Sequence, residues 1–368
     1  MTLRRAAAAV AAAALLAGCA TLPRERSAAC DGARRPAIAV SEDGTTARTR
    51  LDVLTYNVEG LGWPARTGRA APLRAISARL AALRAAGEAP DVVFLQEVFS
   101  ANAVRAVEAL PYPSVAAGPA RSESRVRRAG GSLPGPRRPF RGELGLKLQT
   151  AGLAIAAEYP IVSVNSAPFP KRSCAGFDCL ANKGVLHAEI AIPGVPGTLH
   201  LFNTHMNSQG SSRVPPRRHH AAHQQQARFL ASFIHDVAGF EAPLIFGGDF
   251  NMRHSELRFD AFDRIQPLLL VHRVCAEQPG ACDVGLSWDG DAPWMDTQDL
   301  QLFWPGDRVA VRPVRVEAMF DGGPSGPRLS DHDGFRVVYE LSWPADLPGA
   351  CPAPSGAAPS GPARPGGA

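Results

Sequence analysis

Hydrophobic and polar positions alternate in short bursts along the middle of the chain, and most bursts end on a residue that a buried strand would not choose. Leu51-Asp-Val-Leu-Thr-Tyr-Asn57 has the period of a half-buried strand and stops on Asn57. Apolar residues then fall at helical spacing, Leu73, Ile76, Leu80 and Leu83, until Gly87 stops the helix. Asp91 to Glu97 reads as a second core strand delivering Gln96 and Glu97, and Ala101 to Leu110 as a helix. Short strands are expected at 151–157 and 161–164. A longer one, 183–192, leads through a turn at 194–197 into Leu199–His205, followed by Asn207. An amphipathic helix at 219–238 precedes Pro243-Leu-Ile-Phe-Gly-Gly-Asp-Phe-Asn-Met252. There Gly247 and Gly248 are expected to turn the backbone so that Asp249 and Asn251 project from a strand end, although an ordinary Asx turn fits the same letters. Strands at 298–303, 309–319 and 334–342 complete the set, with Leu329-Ser-Asp-His-Asp-Gly334 between the last two. Helices between some strands and hairpins between others predict mixed sheets covered by helices, an α+β sandwich.

The ends of the chain follow other rules. Arg4 and Arg5, an apolar run from Ala6 to Ala17, and Leu16-Ala-Gly-Cys19 make an export signal too short to span a bilayer. This resembles the lipobox of bacterial lipoproteins, which implies cleavage after residue 18 and attachment to the envelope membrane through lipid on Cys19. By the same analogy Ala20 favours the outer membrane, with simple secretion as the alternative. Residues 19–50 are polar and aperiodic and read as a tether, 51–343 as the catalytic domain, and 344–368 as a Pro/Gly/Ala-rich tail. Six cysteines follow Cys19. In an oxidising compartment they suggest disulfides, Cys174 with Cys179 and Cys275 with Cys282 locally and Cys30 with Cys351 across the ends; a four-thiolate zinc site is the competing reading.

The formal charge of +5 becomes +3 without Arg4 and Arg5, and residues 118–141 alone carry +6. The basic character is therefore local. It fits contact with nucleic acid or anionic lipid, and equally a solvated insertion rich in Gly and Pro.

Asn57, Glu97, His205 with Asn207, Asp249 with Asn251, Asp299, and Asp331 with His332 keep, in order, the motifs of the endonuclease/exonuclease/phosphatase superfamily, which residues 51–343 resemble. The resemblance implies a four-layer α/β/β/α sandwich of the DNase I-like type and a divalent-metal phosphodiesterase. It casts Glu97 as the principal Mg²⁺ ligand, with Asn57 helping to place metal or phosphate; Mn²⁺ or Co²⁺ could substitute. Asp299 would orient His332, the general base or acid, and Asp249 the attacking water. Asn251 and His205 would stabilise the pentacovalent phosphorus, with Asp331 near the metal. Oxygen donors with few carboxylates suit Mg²⁺, and His332 beside a carboxylate suits proton transfer near neutral pH. Within the superfamily, Cys174-Ala-Gly-Phe-Asp178-Cys-Leu-Ala-Asn-Lys183 looks like the neutral sphingomyelinase segment in which an Asp and a Lys five apart flank the active site. Asp178, Lys183 and Asn207 are accordingly expected at the substrate; a disulfide-closed turn is the plainer reading.

Some features depart from that pattern. Gln298-Asp299 stands where Asp-Tyr is usual, and no paired-aromatic membrane hairpin is evident, although Trp288 and Trp294 could anchor at an interface or simply pack. Arg218 could meet phosphate and His220 with His223 a metal, although Arg217–His223 also reads as a solvated helix start; His187 and His200 read as structural. The expected function is an exported phosphodiesterase of the sphingomyelinase/phospholipase C type, acting on a phospholipid or related phosphodiester by in-line water attack. A periplasmic nuclease is the alternative, and a non-catalytic binding lipoprotein the alternative of another class. No obligate protein partner is called for.

Overall fold

The computed structural model describes residues 21–124, 131–278, 280–285, 298–323 and 327–351. Trp288 and Trp294, Cys19 with the export signal, and the arginines at 125, 127 and 128 lie outside the described residues.

The first sheet has β1 (Ala39–Val40), β2 (Thr46–Asn57), β3 (Val92–Gln96), β4 (Ser114–Gly118), β5 (Leu153–Ala157), β11 (Asp283–Val284), β13 (Ala310–Met319) and β14 (Gly334–Pro344). Its order is β11-β13-β14-β2-β3-β5-β4, with β1 pairing β2 beside that path. The second sheet runs β10-β12-β9-β8-β7-β6, built from β6 (Ile161–Pro168), β7 (Gly184–Ile190), β8 (Leu199–His205), β9 (Leu244–Asp249), β10 (Leu269–Leu270) and β12 (Asp299–Trp304). The helices are α1 (Ala70–Ala86), α2 (Ala101–Glu108), α3 (Pro216–Val237), α4 (Glu256–Asp263) and α5 (Val271–Glu277).

Three apolar layers account for the stacking. Leu73, Ile76, Leu80 and Leu83, at the spacing seen in the sequence, bury one stripe of α1 against Val93 and Leu95 of the first sheet, and Val104 and Val107 of α2 join them. Phe94, Ile155, Leu186, Leu201, Ile245 and Tyr339 fill the space between the sheets. Leu230 and Ile234 of α3 cover Phe202 and Phe246 on the far face, with Phe262 of α4. The result is an α/β/β/α sandwich. Buried amides bridge the middle layer: Gln96 donates to Asn203 Oδ1 at 2.8 Å, and Tyr339 to Gln301 Oε1 at 2.9 Å.

Pairing direction brings the polar strand ends together. β2 and β3 are parallel with Asn57 beside Gln96, so Asn57 and Glu97 emerge at the same edge. β8 and β9 are also parallel, with His205 beside Asp249, and β12 starts antiparallel with Asp299 opposite Asp249. Register thus lines up Asn57 with Glu97 at the edge of one sheet and His205, Asp249 and Asp299 at the edge of the other, and the stacking of the sheets brings the two groups together.

The glycine pair works differently from the turn expected for it. Gly247 and Gly248 lie inside β9. A Cβ on Gly247 would stand 2.3 Å from the Phe94 ring and 2.6 Å from Thr55 Oγ1, and one on Gly248 2.3 Å from the Thr204 carbonyl oxygen. These glycines let the two sheets, and β8 with β9, approach closely.

The expected tether also needs correction from residue 26 onward. Arg26 exchanges backbone hydrogen bonds with Val115 and its guanidinium caps the carbonyls of Leu110 and Tyr112. β1 lies on β2, which itself begins at Thr46 rather than Leu51. At the other end β14 runs to Pro344, Ala345 bonds Thr45, and Cys351 is joined to Cys30. Polar composition hid this because these segments are held by backbone pairing and a disulfide, with little apolar side chain. Cys174–Cys179 and Cys275–Cys282 are the other two disulfides.

Candidate active site

Asp249 and Asp299 form the floor. Asp299 Oδ2 accepts the Asn57 backbone N–H at 2.9 Å, and its Oδ1 lies 3.1 Å from His332 Nδ1. Asp249 Oδ2 accepts from Asn57 Nδ2 at 3.0 Å and lies 3.3 Å from His205 Nε2 and 3.9 Å from His332 Nε2. Asp249 Oδ1 accepts the Asn251 N–H at 2.9 Å, so the Asx turn exists and the carboxylate still faces the site. Asn251 takes a left-handed backbone, φ 54°, which asparagine tolerates, and its Nδ2 donates to the Met206 carbonyl.

His332 hangs from the β13–β14 loop, where Ser330 pins the turn by donating to the Asn57 carbonyl and accepting from the His332 N–H. Burial would make its imidazole less basic, but Asp299 and then Asp249 outweigh this and raise it to about 10, so at neutral pH it is an imidazolium. Burial pushes the Asp249 carboxyl up, against the pull of His332. Glu97, also at a left-handed φ of 60°, stands at the lip partly in contact with solvent. Burial carries its carboxyl up to about 7, with Lys183 and His332 opposing and Asp249 and Asp331 adding. Asp331 lies further out, half-exposed and 3.4 Å from Arg66.

Asp178 and Lys183 meet, but inside the protein. Lys183 Nζ contacts Asp178 Oδ1, lies 2.9 Å from His205 Nε2 and donates to the Met206 carbonyl at 3.1 Å. Both residues are buried. Asp178 further accepts from the Ser208 hydroxyl at 2.5 Å and the Ser208 N–H at 3.2 Å. The pair therefore braces His205 from behind, which corrects the expectation that it meets substrate directly. Asn207 is corrected likewise: it is fully buried, its Oδ1 accepts from Ala175 N, and its Nδ2 donates to the Ser208 carbonyl. His205 is also buried, and burial, then Lys183 and His332, hold it well below the usual imidazole range. Lys183 and Asp249 converge on the same ring nitrogen, Nε2, so the neutral ring either accepts from Lys183 or donates to Asp249.

At the start of α3 Pro216 and Arg217 are exposed and His220 is half-buried, but Arg218, His219 and His223 are buried, and Arg218 does not await a phosphate. Its guanidinium is buried against Glu143 in a two-pronged pair at 2.7 and 2.8 Å. His223 Nε2 donates to the Phe250 carbonyl, and His219 Nδ1 lies 2.8 Å from Arg258. Arg258, which sequence reasoning missed, is fully buried and donates to the carbonyls of Asn207 and Asn251 at 2.7 Å. It ties the β8 and β9 exit loops together, as Ser330 ties the β2 and β14 sides. No sequence signal marks either residue, because their partners are backbone carbonyls of remote segments.

The donors test where a cation would fit. Asp249, Asp299 and His332 are close enough to share one. Their atoms, however, already pair with Asn57, Asn251 and each other, as a network satisfied without an ion would. Glu97 differs: among the described residues no hydrogen bond reaches its carboxylate, yet burial leaves its charge costly. An under-compensated oxygen donor at the lip of an acidic, water-accessible site suits a hard divalent ion that keeps several waters.

The model of the Endonuclease/Exonuclease/phosphatase family matches residues 54–332, which contain all the site residues above. No curated protein matches the chain by sequence. Among solved structures, sphingomyelinase C from Streptomyces griseocarneus is 19% identical, with a TM-score of 0.52 over 79% of this chain and 99% of that one. A humanized D. rerio TDP2 is 19% identical, TM-score 0.51, over 79% and 98% of the two chains. Beta toxin from Staphylococcus aureus with bound magnesium ions is 16% identical, TM-score 0.52, over 78% and 99%. At such identities these likenesses establish the fold, and it is the family match across most of the chain that establishes kinship: the chain belongs to the Endonuclease/Exonuclease/phosphatase family and is a metal-dependent phosphoric diester hydrolase.

Proposed function

We propose that the protein is an exported, Mg²⁺-dependent phosphodiesterase of the sphingomyelinase/phospholipase C type, anchored through lipid on Cys19. The observation that carries the catalytic part is the Asp299–His332–Asp249 chain set beside the under-compensated Glu97. Glu97, helped by Asn57, would hold the ion, which when bound offsets the charge of the phosphate. Asp249 is the group that orients the attacking water and takes its proton. As the new O–P bond forms and the leaving O–P bond breaks, His332 gives its Nε2 proton to the departing oxygen. Asp299 holds the imidazole in place and favours its charged form. Asn251 supports phosphoryl charge from the β9 exit, with His205 acting through Asp249.

The lipid-type substrate is supported by the Asp178–Lys183 pair at its five-residue spacing, and by the sphingomyelinase C and magnesium-bound beta toxin among the structural likenesses. Nuclease activity is the second reading. Arg121, Lys171 and Arg172 line one cleft, and D. rerio TDP2 complexed with single-strand DNA product shares the fold at 17% identity.

Hydrolysis by the full chain, with Mg²⁺ or EDTA and with His332→Ala as control, tests both readings. Sphingomyelin liposomes, supercoiled DNA and bis-p-nitrophenyl phosphate would be offered in parallel. Metal- and His332-dependent phosphocholine release is the expected result. DNA nicking with inert liposomes would move the protein to the nuclease reading, and turnover that survives EDTA would remove the metal from it.

A further inference from the structure

The end of the basic insertion and the segments beside it carry large apolar side chains that point into solvent. Phe140 is 98% exposed, Leu144 62%, Leu146 64% and Phe177 41%. Phe140 and Phe177 lie in two adjacent short turns, Pro139–Arg141 and Gly176–Leu180, and Leu144 and Leu146 follow the first of them. A Cβ on Gly142 would stand 3.0 Å from Phe177 Cα, so the turns touch. Cations are interleaved with them: Arg138 and Arg141 in the first turn, with Arg141 6.0 Å from the Phe177 ring centre. Beside them opens a cleft of about 880 Å³ lined by Arg121, Lys171 and Arg172, and by Arg137 and Lys147, which donate to the carbonyls of Glu143, Cys179 and Ala181. Of its two acids, Glu143 is already taken by Arg218.

This surface is firmly mounted. Glu143, buried, accepts from Arg218, from the Gly176 N–H and from the Arg138 N–H at 2.7 to 2.9 Å, and Arg218 also holds the carbonyls of Pro134 and Gly135. These bonds fix the backbone on which the exposed apolar side chains stand.

From this we infer that the 137–147 segment and Phe177 form an interfacial docking surface for an anionic lipid bilayer. Phe140, Leu144 and Leu146 enter the boundary between headgroups and acyl chains, while Arg138, Arg141 and the cleft cations meet headgroup phosphates. A nucleic acid would use the arginines and one aromatic face, but it offers the two leucines nothing. The docking turn is also continuous with the active site: Phe177 faces outward and Asp178, the next residue, faces inward to Lys183 and Ser208. The surface stands independently of which ester is cleaved and of lipid on Cys19.

The test uses the full chain as Cys19→Ser, so that no acyl anchor contributes, with vesicles of phosphatidylcholine alone or mixed with phosphatidylglycerol. Co-sedimentation should favour the anionic vesicles and weaken with salt. Combined Phe140→Ser, Leu144→Ser and Leu146→Ser should reduce partitioning at least about tenfold. Arg138→Gln with Arg141→Gln should reduce it by about fivefold per arginine. Neither set should move the thermal unfolding midpoint, since these side chains are exposed. Unchanged partitioning of the apolar triple variant would overturn the inference. So would arginine variants that lose affinity for a single-stranded oligonucleotide while binding vesicles as before, which would assign the surface to nucleic acid.

Discussion

His332 has one carboxylate on each side of its ring, and its charge is the most sensitive property of the site. Its ionisation is raised from 6.5 to about 10, so the cation contributes stability that is present below pH 6.5 and lost as pH rises through about 10. In EDTA, Asp299→Asn should bring the His332 titration, followed by NMR, down toward its ordinary value; a titration unmoved would mean that Asp249 alone sets the charge. His332→Ala should lower kcat by about 10²- to 10⁴-fold with a smaller change in KM. Glu97 is distinguished by what it lacks, a donor of its own. Glu97→Gln should abolish the stabilisation that Mg²⁺ gives in thermal unfolding, whereas Asp299→Asn should retain it. Loss of the Mg²⁺ effect in Asp299→Asn alone would place the ion on the Asp249–Asp299–His332 group instead. The letters exposed these residues because acids, amides and imidazoles after apolar runs are costly to bury without a purpose. They did not expose Arg258 or Ser330, whose carbonyl partners carry no residue signature.

Among the elements, β9 shows how packing can outrank turn chemistry. Gly247 has the Phe94 ring in the place of its Cβ, so Gly247→Ala should lose about 1–3 kcal/mol or more in denaturant unfolding. Phe94→Leu in the same chain should recover part of that loss; no recovery would show that the strain arises at Thr55. β7 and β8 make a second point. His187 Nε2 lies 2.9 Å from His200 Nδ1, and burial holds His187 down at about 3. As pH falls from 6.5 toward 4 the unfolded chain binds a proton that the folded chain refuses. The protein should therefore lose stability relative to His187→Phe by about 1.4 kcal/mol per pH unit. Parallel pH dependences for the two proteins would mean that His187 titrates normally. Strand periodicity made both histidines recognisable as structural, but their mutual contact depends on the β7–β8 register.

On the scale of the whole molecule, the chain ends are fastened to the sandwich and to each other. Cys30 and Cys351 are 321 residues apart, and replacing both by serine should cost about 3–5 kcal/mol in guanidinium unfolding while leaving the active-site row intact. A loss of hydrolysis at temperatures where the variant is still folded would instead link the ends to the site. The sequence by itself determined the longer strand and helix stretches, the acidic, amide and imidazole set and the family order of those motifs, because each is written locally in period, residue type or spacing. It left the strand Ser114–Gly118, the helices Glu256–Asp263 and Val271–Glu277 and the joining of Cys30 to Cys351 to the fold. Tertiary structure alone decided what the set does together. Asn57 meets Asp299 across 242 residues because one sheet packs on the other, which no local pattern encodes. The same non-local packing turned Lys183 and Asn207 inward as braces, placed Arg218 in a buried pair with Glu143, and left Phe140, Leu144 and Leu146 facing out. Burial is a property of which segments come to lie together, and residue order fixes that only through the complete fold.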